Sequence, residues 1–323
     1  MKKNFRIKKI TVVCAAVVAA AMALVLSTSA MGMWSLSDLI DRVFPDRNDE
    51  IQPYAFSVEL SDGSTQQFML STGNFICDGN NLVTEFLINK IDGSEFTQEE
   101  FGTLSFNDWL VFPDITGMDS EIRNGGADYQ VSDDGLTFII TRTYNNLPRK
   151  INSGDELQIK ISGVQKWTVS NDNGDADLQT IDDGTVFFNF TVPEIPAPIP
   201  LVFKNENGEK VFEAELTRLS MTAVADEPVF SGYELMPDDI YELIPDDISD
   251  YDAQIQWLMF NIATPKFYDE NMNPTNNEFN GYNCMTGFSG QNAHILFNED
   301  PKIEEAKYVK WFDCIAEIPG MSE

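Results

Sequence analysis

The chain of 323 residues contains a single histidine, His294. Two imidazoles cannot converge on an ion, so a zinc site built on paired histidines is excluded. Basic residues are scarce as well. Five of the 21 (Lys2, Lys3, Arg6, Lys8 and Lys9) crowd the first nine positions, which leaves 16 against 52 acidic residues, a formal −36, in the remainder. A body of that sign repels nucleic-acid backbones and anionic lipid headgroups. No phosphate-cradling glycine loop is present, and past residue 45 no long stretch has helical apolar spacing. Gly287-Phe288-Ser289-Gly290 approaches a nucleophile elbow, but its last spacing is wrong. Ser289 and His294 also stand at i and i+5 of an extended segment, where side chains point apart. A carboxylate pair for glycoside hydrolysis can be imagined anywhere among 52 acidic residues, and the sequence selects none. The expectation is a chain with no catalytic centre and no cofactor.

What is present begins with the leader. After the basic stub 1–9 comes a nearly apolar run, 10–26, and no acidic residue occurs before Asp38. Such a run spans about 25 Å as a helix, against about 30 Å for a bilayer core. Ala30, Met31, Met33 and Trp34 can supply the rest of a transmembrane helix over 10–33, with Trp34 at the interface and the stub in the cytoplasm. The rival reading is a cleaved signal peptide, for which 28–30 and 30–32 offer small-residue cleavage sites. The expected localisation is the cell membrane, single-pass with the body extracytoplasmic, or secretion after cleavage.

Residues 34–45 follow with Leu36, Leu39, Ile40, Val43 and Phe44 at helical spacing, Ser35 or Ser37 as the cap and Pro45 as the stop. From Tyr54 the period changes to two, with Asp-Gly turns between the runs, which is a hairpin signature. Strands are expected around Phe56 and Val58, at 66–70, 75–77 and 82–88, around Phe138 and Ile140, around Leu157 and Ile159, and at 186–192. Phe106, Trp109, Val111 and Phe112 read as a connection covering an open end of the first core, and 170–177 as a hairpin tip. Pro193, Pro196, Pro198 and Pro200 cannot lie in a central strand, so they separate a first β-sandwich (46–195) from a second (196–323). In the second, strands are expected at 201–203, 211–216, 219–223, 253–262, 283–288, 294–297 and 308–315. The fold class is all-β: two tandem antiparallel Ig-like β-sandwich domains after an N-terminal transmembrane or signal helix.

The second unit carries an acidic insertion, 226–252, in which the octet YELMPDDI (233–240) is followed at once by YELIPDDI (241–248). A period of eight is too short for a solenoid. Asp238, Asp239, Asp246, Asp247, Asp250 and Asp252 cluster carboxylates of the kind hard cations take; the alternative is a solvated loop enlarged by duplication. Outside the cytoplasm Cys284 and Cys314 can bridge, closing a loop of about 30 residues worth roughly 3–4 kcal/mol, or all of Cys77, Cys284 and Cys314 are buried thiols. Trp109, Trp167, Trp257 and Trp311 are candidates for stacking on sugars, or for the cores.

The apolar segment 10–26, the helical stretch 34–44, the strands around Gly73-Asn74-Phe75 and 82–88, the runs 153–161 and 186–192, and a second unit opening at Leu201 and closing after Trp257 resemble a known family. It comprises membrane-tethered proteins carrying the domain of unknown function 4179 with a β-sandwich companion, described as anti-sigma-factor-like. The resemblance implies an extracytoplasmic pair of β-domains without enzymatic activity. Anti-sigma-like relatives have a cytoplasmic helical segment ahead of the span. Here nine residues precede it, too few for a stable helix, so direct sigma-factor binding is not expected. The expected role is a sensor or interaction module of the bacterial envelope. Its partner would be an envelope protein or a cell-wall glycan, with membrane contact through the leader and no nucleic acid. The alternative is a secreted glycan-binding or adhesin module, with a glycan-active enzyme behind it.

If the acidic repeat is a solvated loop, millimolar calcium leaves the melting temperature essentially unchanged. A rise of many degrees in a thermal melt would instead make 226–252 a cation site.

Overall fold

The computed structural model describes residues 35–117, 121–123, 126–145, 147–169, 176–226, 264–275, 285–289, 291–297 and 300–319. Helix α1 (Leu36–Val43) opens this part. Ser35 Oγ accepts from the Asp38 amide at 3.2 Å and the Asp38 carboxylate accepts from the Ser35 amide at 2.6 Å, a reciprocal capping box. A short helix α2 (Asn48–Ile51) and a 3-10 turn (Gln52–Tyr54) lead into the first strand. Among the described residues no helix is long and apolar enough to cross a membrane; the segment 10–33 expected to be a transmembrane or signal helix lies outside them.

The fold is all-β and the strand pairs are antiparallel. In the first unit β1 (Ala55–Ser64), β2 (Phe68–Cys77), β3 (Leu82–Lys90), β6 (Gly126–Val131) and β7 (Thr137–Tyr144) form one sheet, in the order β1-β2-β3-β7-β6. β4 (Leu104–Val111), β5 (Glu121–Arg123), β8 (Glu156–Val169) and β9 (Ala176–Thr191) form another, in the order β5-β4-β8-β9. The sheets face each other across one core. Phe75 stacks on Phe190 at 4.4 Å, Phe86 meets Phe188 at 6.1 Å, and Phe106 contacts both Phe68 and Phe138 at 6.0 Å. A capped helix α3 (Gln98–Thr103) joins the two sheets.

The segment holding Phe106, Trp109 and Val111 is thus not a connection but strand β4. Leu104, Phe106, Asp108 and Leu110 alternate inward, and the charge of Asp108 at an inward position hid the period in the sequence. That carboxylate is paired: Arg142 Nε of β7 lies 2.7 Å from Oδ1, and Tyr144 Oη donates to Oδ2 at 2.6 Å. Arg142 Nη2 donates to the Phe106 carbonyl at 3.1 Å. The cluster joins one sheet to the other inside the core. Burial and the neighbouring Asp108 charge push the Tyr144 hydroxyl well up, so it stays a donor.

The second unit comprises β10 (Ile199–Lys204), β11 (Lys210–Leu216), β12 (Ser220–Val224), β13 (Lys266–Tyr268), β14 (Met285–Ser289), β15 (Asn292–Leu296), β16 (Tyr308–Trp311) and β17 (Cys314–Glu317). Where two facing sheets were expected, these described strands form one sheet, β13-β16-β17-β10-β11-β12-β15-β14. It folds over on itself: Phe212 of β11 meets the edge of Trp311 of β16 at 6.0 Å, and Phe267 of β13 meets Phe297 beyond β15 at 5.8 Å. β10 touches β17 at a single rung, Lys204 to Ile315, and a sheet held so lightly can bend there. The same slack admits Pro200 into β10, opposite Glu215 of β11, because no β17 residue pairs beside it. The expected strand 308–315 is a hairpin instead. Phe312 and Asp313 turn it, both at positive φ (48° and 59°), as two-residue hairpin turns require. The sequence has none of the usual Asn-Gly chemistry there; burial of the Phe312 ring against Trp311 and Phe212 stabilises the turn in its place.

A third cluster joins the units. Leu39, Ile40, Phe44, Ile51 and Tyr54 of the N-terminal segment pack on Ile76 and Val83 of the first unit and on Leu219 and Leu296 of the second. Arg42 pairs with Glu85 of β3 at 2.7 Å. The buried Arg47 donates to the carbonyls of Phe297 at 2.8 Å and Arg218 at 2.6 Å. In the β2–β3 turn, Asp78 Oδ2 accepts from Thr217 Oγ1 at 2.7 Å and Ser220 Oγ at 2.5 Å across the seam. Asn81 Nδ2 donates to Asp78, so Asn81 Oδ1 must accept from His294 Nε2 at 2.8 Å. His294 Nδ1 then accepts from the Thr222 hydroxyl at 2.9 Å. This network assigns a neutral histidine protonated on Nε2.

Two outcomes follow from these buried groups. Asp108→Ala strands Arg142 in the core and lowers unfolding free energy by about 3–5 kcal/mol in denaturant titration. Burial holds His294 below its ordinary 6.5, against the opposing field of Asp78. The unfolded chain therefore takes up a proton first, and stability is lost as pH falls below about 6.5. The melting temperature of His294→Gln is expected to fall less than the parent's between about pH 7 and pH 5; equal falls would contradict the assignment.

Candidate ligand-binding groove

Four strands of the second unit, β13, β16, β17 and β10, present an outer face. Phe267, Val309, Trp311, Cys314, Ala316, Leu201 and Phe203 point into the core, so the alternate residues point out. Register then aligns Lys266 with Lys310, Lys310 with Ile315, and Ile315 with Lys204. Three lysines, all exposed, lie on one line across the strands, with about 14 Å between the outer two at ordinary strand spacing. They line a groove of about 560 Å³.

The row is electrostatically unusual for this chain. Lys90, Lys150, Lys160, Lys166, Lys210 and Lys307 each pair with a glutamate at 2.6–2.9 Å. Among the described residues Lys204, Lys266 and Lys310, like Lys302, form no salt bridge, although Glu206 and Asp313 also line the groove. Lys266 and Lys310 are direct cross-strand partners, an arrangement in which like charges repel. Two residues along, on the same face, Tyr268 stands opposite Tyr308, and Lys310 Nζ lies 5.3 Å from the centre of the Tyr268 ring.

Local sequence sets the walls. After β13, Asp269 Oδ1 accepts from the amides of Asn271 and Asn273, both at 2.8 Å, and Oδ2 accepts from the Asn273 side chain at 3.0 Å. These bonds hold the Asp269 carboxyl below its usual range and fix a tight loop that carries Met272 into the groove wall at φ 63°. After β10, Asn205 Oδ1 accepts from the amides of Asn207 and Glu209, each at 3.0 Å, and Gly208 takes φ 80°. That turn ends β10 at Lys204.

The residues singled out in the sequence are dispersed. Asp238, Asp239, Asp246, Asp247, Asp250, Asp252, Cys284 and Trp257 lie outside the described residues. Cys314 is a free, buried thiol under the groove floor, and burial and Asp313 push its pKa up. Ser289 pairs with Asn292 in the β14–β15 ladder, and His294 belongs to the seam. Trp311 is core, Trp109 lies beneath Lys160 at 5.1 Å, and Trp167 is 45% exposed. A carboxylate cluster elsewhere, Glu50, Asp300 and Glu304, is countered by Arg47 and Arg218. Burial and Asp300 raise Glu50. Sequence reading missed the lysine row because its members lie on three strands far apart in the chain, and no local signal marks them.

No family model matches the chain, and no curated protein matches it. A solved structure described as the conserved domain protein from Bacillus anthracis is similar over 81% of this chain and 77% of that one, at 12% identity and a TM-score of 0.43. Likeness at that level carries no functional inference.

Removing one charge of the row relieves repulsion. Lys266→Gln is expected to raise the melting temperature slightly at low ionic strength, and the gain should vanish at high salt, where surface charges are screened.

Proposed function

We propose that the chain is a non-enzymatic, extracytoplasmic interaction module of a bacterial envelope. Residues 10–33 either anchor it or are removed on secretion, and the groove of the second unit takes the ligand. The observation that carries the reading is the lysine row: three aligned cations that form no salt bridge among the described residues, on a body with a large acidic excess. The cationic-then-apolar leader supports placement outside the cytoplasm. The pattern shared with the tethered proteins of the domain of unknown function 4179 supports the envelope context.

The first unit is read as Ig-like. Its β2-β3-β7-β6 and β5-β4-β8-β9 orders correspond to the A-B-E-D and C′-C-F-G orders of immunoglobulin domains, with β1 added at an edge. In this reading the first unit is a spacer and the second holds the ligand. Tyr268, which lines the groove beside the lysines, favours the second reading, a secreted glycan-binding module, which uses the same groove and differs in the fate of the leader.

Protease added to intact cells carrying the full chain should digest the body, and the N-terminus of the recovered protein should separate the two fates. A body protected until the cells are lysed would overturn the proposal.

A further inference from the structure

We infer that the row Lys266, Lys310 and Lys204, with the adjoining Tyr268, forms a subsite for an extended acidic glycan, a sugar chain bearing carboxylate or phosphate groups. The inference rests on the reading of the groove as the binding site. Lys266 and Lys310 repel each other across one rung, and an anion set between them turns that repulsion into attraction to both. Lys204 extends the line two strands further, so the site suits charges that recur along a chain better than one compact ion. All three cations are lysines, compact charges on long stems, and not the planar forks that select a single bidentate group.

The rest of the surface separates a glycan from other polyanions. Tyr268 offers the groove a ring with a polar tip, suited to a ligand with an apolar ring face and hydroxyl edges. Glu206 and Asp313 can accept bonds from sugar hydroxyls. They repel a polymer charged at every unit, as the acidic body does, which disfavours nucleic acid. An acidic peptide meets the same carboxylates and offers Tyr268 no saturated ring.

The test titrates the full chain, in detergent micelles, with hyaluronate, which carries a carboxylate on every second sugar, a phosphate-bearing mannan, neutral mannan and polyglutamate. Binding to one or both acidic glycans is expected, with neutral mannan and polyglutamate at least tenfold weaker; the arm that binds identifies the anion. Replacing both Lys266 and Lys310 by Gln, which keeps length and removes charge, should weaken binding about tenfold or more and flatten its salt dependence. Tyr268→Ala should weaken binding while leaving the salt dependence in place. A melting temperature no lower than the parent's for each variant ties the loss to the groove. Equal binding of polyglutamate or neutral mannan, indifference to the lysine replacements, or no binding to either acidic glycan would overturn the ligand class. None of those results touches the extracytoplasmic reading, which fails only if the body is shielded from external protease.

Discussion

Arg47 belongs to the N-terminal segment, yet its guanidinium is spent on two carbonyls of the second unit, those of Arg218 and Phe297. A buried cation is tolerable only while its donors are bonded, and here burial already pulls its pKa down against the fields of Glu50 and Asp300. The position of the 218 and 297 loops is therefore fixed relative to α1. On the other flank Arg42 meets Glu85, and the apolar residues of α1 cover Ile76 and Val83. Asp78, accepting from Thr217 and Ser220, closes the seam from the first unit's side. Two separate cores behave as one body because the segment that precedes them is packed into their junction.

The groove shows the opposite economy. At the seam nearly every polar atom has a partner, and the one histidine is neutral with both ring nitrogens bonded. On the outer face of β13, β16 and β10, lysines face each other without carboxylates in ion-pair range among the described residues. A sequence rich in Asp and Glu has ample means to neutralise them. Sites that sacrifice local stability in this way are commonly functional.

Much of the first unit was legible because its strands alternate apolar and polar residues between Asp-Gly turns, and α1 was legible from its spacing and from Ser35. β4 was not, since a buried Asp108 breaks a pattern that only its pairing with Arg142 in a distant strand restores. The hairpin at Phe312 was hidden for a related reason: burial of an aromatic ring, a tertiary effect, holds a left-handed turn that local propensity would assign to Asn or Gly. The lysine row arises from register across strands far apart in sequence, which no local window contains. Trp311, a candidate for sugar stacking, proved to be core, while the aromatics on the outer face are tyrosines that nothing local distinguished.

The packing of α1 against both cores has a mechanical corollary. Whatever the chain before Ser35 is fastened to, the groove stands at a set bearing from that root, since no swivel separates α1 from either unit. A pull on the groove would be delivered through the Arg47 contacts to Ser35, as through a stiff lever, and would not be absorbed by slack between the two units.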